Sequence, residues 1–389
     1  MRHTFPDERR SRQALARFIL TNRRLSMDGQ CRRFELAFAR AQGRRESVLF
    51  NSGASANLAL LQALRNLGRL KAGSRVGFSA VTWSTNVMPI IQMGFVPVPI
   101  DCSPRTLNAM SSDVRDRLGQ VRLGALFLTN ALGFTGDLAA IRDLARRRGL
   151  VLLEDNCESL GTVLPQGRAG NFGLAATFSF FVGHHLSTVE GGMAATDDPK
   201  LAEMLRIVRA NGWDRDLSPS QARHWRRRFR MDEFKAKYAF YDLGFNLRPT
   251  EVTGFLGIRQ VAGIADRARL RQENYLKLEA AARANPDLLP LERSHMRLVS
   301  SFAFPVVCRT PRLRRLYVER FQRAGIEARP LIAGNIQRQP FYAKYVRRRF
   351  PLPGADFLHD RAFYCGNRED LGAAELGRIA RCLRPARSF

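Results

Sequence analysis

Between residues 45 and 160, short apolar segments alternate with longer amphipathic ones. Each short segment is an apolar run that ends in a polar turn, which is typical of a buried strand. The longer segments have apolar positions three and four residues apart, as on one face of a helix. The predicted strands are residues 47–50, 74–79, 95–101, 123–130 and 150–156. Buried strands separated by helices predict an α/β fold with a mostly parallel central sheet that helices cover on both faces.

Beyond residue 250 the pattern changes. A long helical pattern covers residues 252–281, and a strand, a helix and a further strand follow between residues 300 and 331. This order predicts a smaller α+β domain at the C-terminal end. We therefore expect two domains. Residues 1–260 hold the N-terminal helices and a large domain, and residues 261–389 form the small one.

The charge of the chain is unusual. Its 389 residues include 63 lysines and arginines against 35 acidic residues, a formal net charge of +28, and only six of the cations are lysines. Such an excess first suggests nucleic acid or anionic lipid as a partner. The densest basic run with interleaved aromatic residues is 224–230, however, and most other arginines fall on the outer faces of predicted helices. We therefore expect no nucleic-acid partner.

The sequence also limits the compartment and the metals. An apolar content of 45% excludes a disordered chain. The polar N-terminal segment is unlike a signal peptide, and the longest apolar region, residues 87–100, contains three prolines and is too short to span a bilayer. The six cysteines lack C-x-x-C and C-x-C spacings, so we expect neither a zinc site nor an iron–sulfur cluster. A cytoplasmic protein without membrane insertion is the expectation.

Three turns at the ends of predicted strands carry candidate chemistry, because ligands bind beyond the carboxyl ends of the strands in open parallel sheets. The first turn, residues 51–57, is rich in small residues and opens a helix. Backbone N–H groups at such a helix N-terminus can approach a phosphate closely. Taken alone, these residues favour an ordinary strand-to-helix turn with Ser55 as the N-cap, and a phosphate loop is the alternative.

The second turn, residues 152–158, follows a buried strand that brings Glu154, Asp155 and Glu158 to its end. A carboxylate held there can pair with a protonated ring nitrogen or with a metal. The metal is disfavoured, because no histidine with ligand spacing lies nearby in the sequence. Capping of the following helix is the alternative role for these acids.

The third turn, within residues 177–192, is the richest in reactive groups. Ser179 supplies a hydroxyl, and His184 and His185 can move protons near neutral pH. The two glycines that end the segment permit a close-packed turn. A single histidine is usually structural, but two adjacent ones beside serine, glutamate and glycine favour a functional site.

In this order and spacing, the three segments resemble the DegT/DnrJ/EryC1/StrS family of sugar aminotransferases. That family has a small-residue phosphate loop, an acidic strand end, and an S-F-x-x-x-K segment followed by E-G-G. Residues 211–215 and 244–251 resemble two further family segments, so the likeness covers nearly the whole chain. The resemblance implies fold type I of the pyridoxal-phosphate (PLP) transferases, which is aspartate aminotransferase-like, and a homodimer with shared active sites.

The chain departs from this family at one informative position. Six residues before Glu190 of the E-G-G segment lies His184, where most members have the lysine that binds the cofactor covalently. Imidazole cannot form that bond. The replacement resembles the family's 3-dehydratase branch, which removes the C3 hydroxyl of nucleotide-linked 4-keto-6-deoxy sugars. Residues 213–241 lack the cysteines of the iron–sulfur type, so the chain is similar to the cluster-free type that acts on GDP-4-keto-6-deoxy-D-mannose.

The resemblance implies a lyase of 3,6-dideoxysugar biosynthesis, for O-antigen or another glycoconjugate. L-Glutamate would convert PLP to pyridoxamine phosphate (PMP), held without a covalent bond, and His184 would be the base, with His185 as its competitor. The implied cofactor-binding residues are Gly53, Ala54, Trp83, Asp155, Glu158, Ser179 and, from a second subunit, Asn246. The implied substrate-binding residues are Arg215, Arg329 and Asn335. Arg215 would contact either the glutamate carboxylate or the sugar diphosphate.

Two other functions stay open at the level of the sequence. A nucleotide-sugar aminotransferase with a displaced lysine, such as Lys235 or Lys237, would bind PLP covalently. A paralogue without catalytic activity would bind PLP or a sugar nucleotide as a sensor. The presence of Asp155, Ser179 and Glu190 argues against such a loss of function.

Overall fold

The strand–helix alternation predicted from the sequence is present in the computed structural model, which describes Phe5 and residues 7–386. The predicted domains and the predicted N-terminal helices include residues 1–4, 6 and 387–389, which lie outside the described residues. Within the described chain the strands are β1 Glu46–Phe50, β2 Arg75–Ser79, β3 Val96–Ile100, β4 Ala125–Thr129, β5 Val151–Asp155, β6 Val163–Leu164, β7 Gly167–Arg168, β8 Ala175–Ser179, β9 Gly192–Thr196, β10 Ala303–Val307, β11 Ala328–Pro330 and β12 Ala362–Gly366.

The helices of the same described residues surround and connect these strands. They are α1 Glu8–Thr21, α2 Gly29–Gln42, α3 Gly53–Asn66, α4 Ser84–Gln92, α5 Ser111–Gln120, α6 Leu138–Arg147, α7 Pro199–Arg209, α8 Pro219–Arg228, α9 Glu251–Val261, α10 Ile264–Arg283, α11 Pro311–Arg323, α12 Pro340–Tyr345, α13 Pro353–Arg361 and α14 Ala373–Cys382. Among them, none is both long enough and apolar enough to cross a bilayer.

Most predicted elements are confirmed. The five N-terminal strands are β1 to β5, the two C-terminal ones are β10 and β11, and the helical pattern at 252–281 is divided between α9 and α10 at Gly263. The patterns do not predict β6, β7, β8, β9 or β12. Strands β8 and β9 consist largely of alanine and other small residues, whose strand propensity is low, so only pairing with neighbouring strands makes them extended.

The chain divides into two compact units that are interleaved along the sequence. The first comprises the residues up to Ser74, Gln92–Phe95 and Leu174–Ala262, and the second comprises Arg75–Ile91, Val96–Gly173 and the residues from Gly263 onward. The division into domains at residue 260 stays a prediction.

The first unit contains three antiparallel strands in the order β1-β9-β8. Phe50 at the end of β1 and Ser179 at the end of β8 both pair with Gly192, the first residue of β9. The first and third candidate turns therefore begin at the same edge of this group of strands.

Helices α2 and α9 pack closely in the first unit. A Cβ added at Gly257 would lie 2.3 Å from the Phe34 ring, so the missing side chain allows this approach. Glu251, at the start of α9, caps α2 by accepting three backbone N–H groups at 2.7 to 3.1 Å. A negative charge at a helix N-terminus also offsets the helix dipole.

The second unit contains four parallel strands in the order β5-β4-β2-β3. Helices α5 and α6 connect β3 to β4 and β4 to β5, as the alternating pattern predicts. Its C-terminal part has a separate antiparallel sheet in the order β10-β12-β11, which is the predicted α+β arrangement. Tyr275 of α10 lies between the rings of Phe134 and Phe304, at 5.3 and 5.5 Å, so one apolar core includes both parts of this unit.

Glu154, in β5, is a structural carboxylate of the second unit. It is fully buried and accepts hydrogen bonds from the backbone N–H groups of Gly170, Phe172 and Gly173, at 2.7 to 2.8 Å. A Cβ at Gly173 would lie 2.5 Å from the carbonyl oxygen of Leu152, so this segment lies directly against the strand. Because side chains alternate along a strand, burial of Glu154 on one face places Asp155 on the other.

Replacement of Glu154 by glutamine is expected to destabilise the fold. The new NH2 group would face backbone donors, and a buried hydrogen-bond partner lost in this way costs about 2–4 kcal/mol. The free energy of unfolding, measured by urea denaturation, checks this. Glu319→Gln is the control, because that carboxylate is 63% exposed and its pair with Arg323 is long, at 3.7 Å. Equal stability of the two variants would contradict the structural role of Glu154.

Candidate functional site

The first candidate turn joins β1 to α3. Ser52 is the N-cap of the helix, and its hydroxyl accepts the N–H of Ser55 at 3.0 Å. The N-cap is therefore three residues earlier than Ser55, the residue expected from the sequence. Gly53 and Ala54 are the first two helical residues, whose N–H groups have no acceptor within the helix. Such N–H groups suit a phosphate, and Ala54 is exposed.

Gly53 lies directly against Ser179. A Cβ added at Gly53 would be 2.7 Å from the Cβ of Ser179, so only glycine permits the contact. A Cβ at Gly192 would be 2.2 Å from the carbonyl oxygen of Ser52, so the last glycine of the E-G-G segment makes room for the same loop. The structure thus brings together three of the residues predicted to hold the cofactor phosphate: Gly53, Ala54 and Ser179.

The alternation of β8 explains the position of Ser179. Phe178 and Phe180 point to one side, where their rings pack on Phe34 and Phe38 of α2 at 5.0 to 5.4 Å. All four rings are buried. Ser179 therefore points to the opposite side, towards Gly53. The aromatic core of the first unit orients the serine hydroxyl.

The two histidines follow β8 in environments that differ. His184 is half-buried, its backbone N–H donates to the carbonyl of Phe181 at 2.9 Å, and its ring lies edge-on to the Phe181 ring at 6.2 Å. His185 is only 5% exposed. The same loop contains Val189 with a φ of +71°, a strained conformation for a β-branched residue. Of the two histidines, His184 is the less buried residue.

Arg215 and Asn246 also belong to the first unit, and both are exposed. Arg215 lies in a short 3₁₀ turn, Asp214–Asp216, and its guanidinium stacks on the Trp213 ring at 5.1 Å. Asn246 forms an isolated β-bridge with Ala210, just beyond the end of α7. These two predicted ligands are therefore held by neighbouring segments of backbone.

Asp155 ends β5 in the second unit and is 3% exposed. One carboxylate oxygen accepts the side-chain NH2 of Asn86 at 2.7 Å, and the other accepts the backbone N–H of Cys157 at 2.9 Å. Asn86 is itself oriented by Thr82, whose hydroxyl is 3.0 Å from the amide oxygen of Asn86 and 2.6 Å from the Thr129 hydroxyl. Sequence reasoning missed Asn86, although its place three residues after Trp83, on the helix that starts there, was a usable signal.

Glu158 lies one turn beyond Asp155 and is half-buried. It accepts the backbone N–H of Leu132 at 2.9 Å. Burial raises the pKa of Glu158 from its ordinary 4.5 to about 7, the hydrogen bond from Leu132 lowers it, and the nearby charge of Asp155 raises it further. Glu158 therefore titrates near neutral pH.

Trp83 and Arg329 line a cavity of the second unit with a volume of about 810 Å³. Trp83 immediately precedes α4 and is 56% exposed, an unusual fraction for an indole. Arg329, in β11, is exposed and paired with Glu327 at 2.7 Å. The cavity thus has an aromatic face and a cation, both among the predicted ligands.

Asn335 is placed differently from the other predicted ligands. It is 2% exposed, its amide oxygen accepts the N–H of Gln337 at 3.0 Å, and its NH2 donates to Asp356 at 2.9 Å. Its backbone N–H donates to His359 at 3.2 Å. These bonds orient the segment that lines the cavity, and a direct contact of Asn335 with substrate stays a prediction.

Two residues of the basic run at 224–230, Trp225 and Arg226, contact the rest of the first unit, whereas His224, Arg227, Arg228 and Arg230 are exposed. Trp225 is buried and stacks on Phe229, and its indole N–H donates to Glu203 at 2.5 Å. Arg226 is paired with Asp214 at 2.8 Å. Trp225 and Arg226 therefore anchor α8 beside the turn that holds Arg215.

Comparison with known proteins identifies similar chains. The GDP-4-keto-6-deoxy-D-mannose 3-dehydratase of Yersinia pseudotuberculosis is 29% identical over 355 residues, which cover 90% of each chain. The enzyme of the same name from Escherichia coli O55:H7 (strain CB9615 / EPEC) is 30% identical over 355 residues, covering 90% of this chain and 91% of the relative.

A solved structure of GDP-4-keto-6-deoxymannose-3-dehydratase with a trapped PLP-glutamate geminal diamine superposes with a TM-score of 0.87. It is 28% identical and covers 96% of this chain and 97% of that one. The α/β fold predicted from the sequence is confirmed by this agreement. The family model for the DegT/DnrJ/EryC1/StrS aminotransferase family matches residues 6–384. This chain belongs to the DegT/DnrJ/EryC1/StrS aminotransferase family.

Proposed function

We propose that the chain is a PLP-dependent lyase that removes the C3 hydroxyl of a nucleotide-linked 4-keto-6-deoxyhexose, with L-glutamate as the amino donor. The observation that carries the proposal is His184, a half-buried histidine at the position of the family's cofactor-binding lysine. The relatives named as GDP-4-keto-6-deoxy-D-mannose 3-dehydratases support the same reaction and make that sugar nucleotide the substrate we infer. The product is then an intermediate of 3,6-dideoxysugar biosynthesis.

The phosphate loop fits the phosphate of PLP or PMP. Gly53 leaves the space that a Cβ would fill, the first-turn N–H groups of Gly53 and Ala54 are donors, and the Ser179 hydroxyl lies beside them. Asn246 supplies a further amide, and we assign it to the phosphate of a second subunit. Backbone N–H groups at a helix N-terminus can bind a phosphate without help from a lysine.

The second unit fits the ring of the cofactor. Asn86 and the N–H of Cys157 hold the carboxylate of Asp155 in one orientation, so it can keep a pyridine nitrogen protonated. Trp83 offers an exposed indole face for stacking, and Glu158 can contact the ring hydroxyl or order nearby water. Bound PLP supplies the electron sink that lets a carbon–oxygen bond next to a ketone carbon break.

His184 moves the proton. Its imidazole takes a proton from the C4′ carbon of the cofactor and returns one to the departing C3 hydroxyl, as an imidazole can do near neutral pH. A lysine here would hold the cofactor covalently and favour reprotonation at the sugar C4, which completes a transamination. We assign the step to His184 rather than His185, because His185 is 5% exposed and His184 is half-buried.

Anionic substrates meet exposed arginines in the proposed site. In the first unit, Arg215, backed by the Trp213 ring, binds the glutamate carboxylate or the sugar diphosphate. In the second unit, Arg329 contributes a cation to the cavity that it lines. Asn335 acts through the segment it orients unless substrate displaces its present bonds.

A homodimer with shared active sites is part of the proposal. Large apolar side chains of the first unit are exposed near Arg215: Phe234, Tyr238, Phe240 and Leu243 are 61 to 79% exposed. Patches of this kind mark protein interfaces. Tyr238 and Phe240 also contact the ring of Trp213, at 5.6 and 6.2 Å. We place the enzyme in the cytoplasm, because all six cysteines are free thiols, as in a reducing compartment.

The direct test supplies purified protein with PLP, L-glutamate and GDP-4-keto-6-deoxy-D-mannose. We expect 2-oxoglutarate, ammonia and a sugar nucleotide that has lost one oxygen and retains no added nitrogen. Mass spectrometry of the product and enzymatic assays of the two small products provide the measurement. A stably aminated sugar would instead identify a transaminase, and a PLP adduct fixed by borohydride would identify a displaced lysine.

Replacing His184 with lysine is expected to redirect the reaction. The new amine can bind PLP covalently, so borohydride should fix a PLP adduct at residue 184. Loss of the imidazole should also lower the rate of C3 deoxygenation about 100-fold or more. His185→Gln is the matched control and should retain most of the dehydratase activity. A His184→Gln variant is measured beside them. If it retains activity and His185→Gln loses it, the base is His185 rather than His184.

The raised pKa of Glu158 predicts a pH-dependent stability. Between its ordinary pKa of 4.5 and about 7, the folded protein keeps a proton that the unfolded chain loses, so this group's contribution to stability falls as pH rises through that window. Glu158→Gln removes the effect and still offers Leu132 an acceptor. Relative to the natural protein, we expect the variant to gain about 2 kcal/mol between pH 5 and pH 8, discounted for partial exposure.

Denaturation of both proteins across that pH range measures the gain. The exposed Glu319→Gln variant is the control and should show no such trend. A stability difference that is constant with pH would rule out the raised pKa.

A further inference from the structure

One arginine of the first unit is buried and contacts three separate segments of the chain, two of which lead to residues of the proposed site. Arg209, the last residue of α7, is 1% exposed. One of its terminal nitrogens donates to Glu35 at 2.6 Å and to the carbonyl of Leu49 at 2.7 Å, and the other forms an ion pair with Asp216 at 3.2 Å. Its neighbours therefore come from α2, from β1 and from the turn that follows α7.

The contacts on one side of Arg209 lead to the phosphate loop. Glu35 accepts the guanidinium of Arg209 and, with the same oxygen, the backbone N–H of Leu49 at 2.8 Å. Arg209 also binds the carbonyl of Leu49, so both backbone polar groups of that residue are held by this pair. Strand β1 ends one residue later, and Gly53 opens α3 after a turn of two residues. The pair thus fixes the strand that presents the loop.

The contacts on the other side lead to Arg215 and Asn246. Asp216 belongs to the same short turn as Arg215, and its carboxylate is 7% exposed. The backbone carbonyl of Arg209 accepts the N–H of Leu247 at 3.0 Å, next to Asn246. Leu247 in turn accepts the N–H of Asn51, in the phosphate loop, at 3.1 Å.

The charges of this cluster balance. Glu35 and Asp216 are the two anions, and Arg248 is a second cation at 3.8 Å from Asp216. Burial of charges costs free energy, and removal of one partner leaves the others uncompensated. A well-packed apolar cluster would stabilise the same interior as well or better, but it would not set the direction of the backbone groups that Arg209 binds.

We propose that Arg209 is a positioning residue, which through Glu35 orients the phosphate loop and through Asp216 orients the substrate-binding Arg215. The inference rests on the proposed function for the role of Arg215 and of the loop. It adds a separation of tasks, in which the Glu35 contact governs affinity for the cofactor and the Asp216 contact governs affinity for an anionic substrate.

The test uses the full-length protein with PLP, L-glutamate and GDP-4-keto-6-deoxy-D-mannose. The variants are Asp216→Asn, Glu35→Gln and Arg209→Lys, with Arg215→Ala as the reference for substrate binding. The readouts are the Kd for PLP from a fluorescence titration, the KM for each substrate, kcat and Tm. The Kd for PLP is measured without turnover, so it is independent of the reaction catalysed.

Asp216→Asn is expected to raise, about tenfold, the KM of the same substrate that Arg215→Ala affects, with the Kd for PLP unchanged. Glu35→Gln is expected to raise the Kd for PLP about tenfold and to leave the KM values unchanged. Arg209→Lys should do both. If that variant does not fold, the first two variants decide the question alone.

Arg271 provides the matched control, because it is an equally enclosed arginine outside the proposed site. It is 2% exposed and binds the carbonyls of Phe302 and Asn367 and the carboxylate of Glu369. Arg271→Lys should lower Tm without changing the Kd for PLP or any KM. If Arg209→Lys behaves in the same way, Arg209 is only structural and the inference is overturned.

Failure of the proposed function gives a different result. If Arg215→Ala changes neither KM, Arg215 does not bind substrate. The role in substrate affinity that we propose for the Asp216 contact is then wrong as well. If Arg215→Ala raises a KM and Asp216→Asn does not, only the positioning inference is wrong. Unchanged PLP affinity in Glu35→Gln overturns the link to the phosphate loop.

Discussion

The proposed phosphate site depends on two glycine contacts in which a Cβ atom would not fit. In the first unit, Gly53 lies against Ser179, and Gly192 lies against the backbone of Ser52. A Cβ at either glycine would overlap its neighbour, so the ends of β1, β8 and β9 can meet only because both positions lack one. This close approach places the first-turn N–H groups of α3 beside a serine hydroxyl. The packing of Phe178 and Phe180 on α2 then fixes which way that hydroxyl points.

Three carboxylates around the end of β5 show how environment assigns tasks to identical groups. Glu154 is enclosed by backbone N–H groups and holds the neighbouring loop. Asp155, one residue on, points to the other face, where it accepts the side-chain NH2 of Asn86. Glu158 has a single backbone donor, and burial raises its pKa to about 7. The sequence places all three acids in one segment, but their neighbours in space decide which hydrogen bonds each carboxylate accepts and how strongly burial shifts the pKa of Glu158.

The arginines of the chain also have different roles in different surroundings. Arg209 and Arg271 are fully buried and bind backbone carbonyls as well as carboxylates, so they act as internal connectors. Arg226 anchors α8 to Asp214, and Arg215 stays exposed on the same turn. A guanidinium has five donors in a fixed plane, so it can satisfy several acceptors at once where an ammonium cannot. Part of the arginine content therefore serves contacts inside the protein, where Arg209, Arg226 and Arg271 are each paired with a carboxylate.

The sequence by itself determined the α/β class, the strands β1 to β5, the family resemblance and the exchange of lysine for His184, because these depend on local periodicity and on spacing along the chain. Strands β8 and β9 had too little alternation to predict, since their small residues become extended only through pairing. Only the tertiary structure distinguished His184 from His185 by accessibility, showed that Asn335 is occupied by internal bonds, and revealed Asn86 and Arg209. Those properties come from residues that are distant in sequence but share one environment, where burial and hydrogen-bond partners, rather than residue type, decide what a side chain can do.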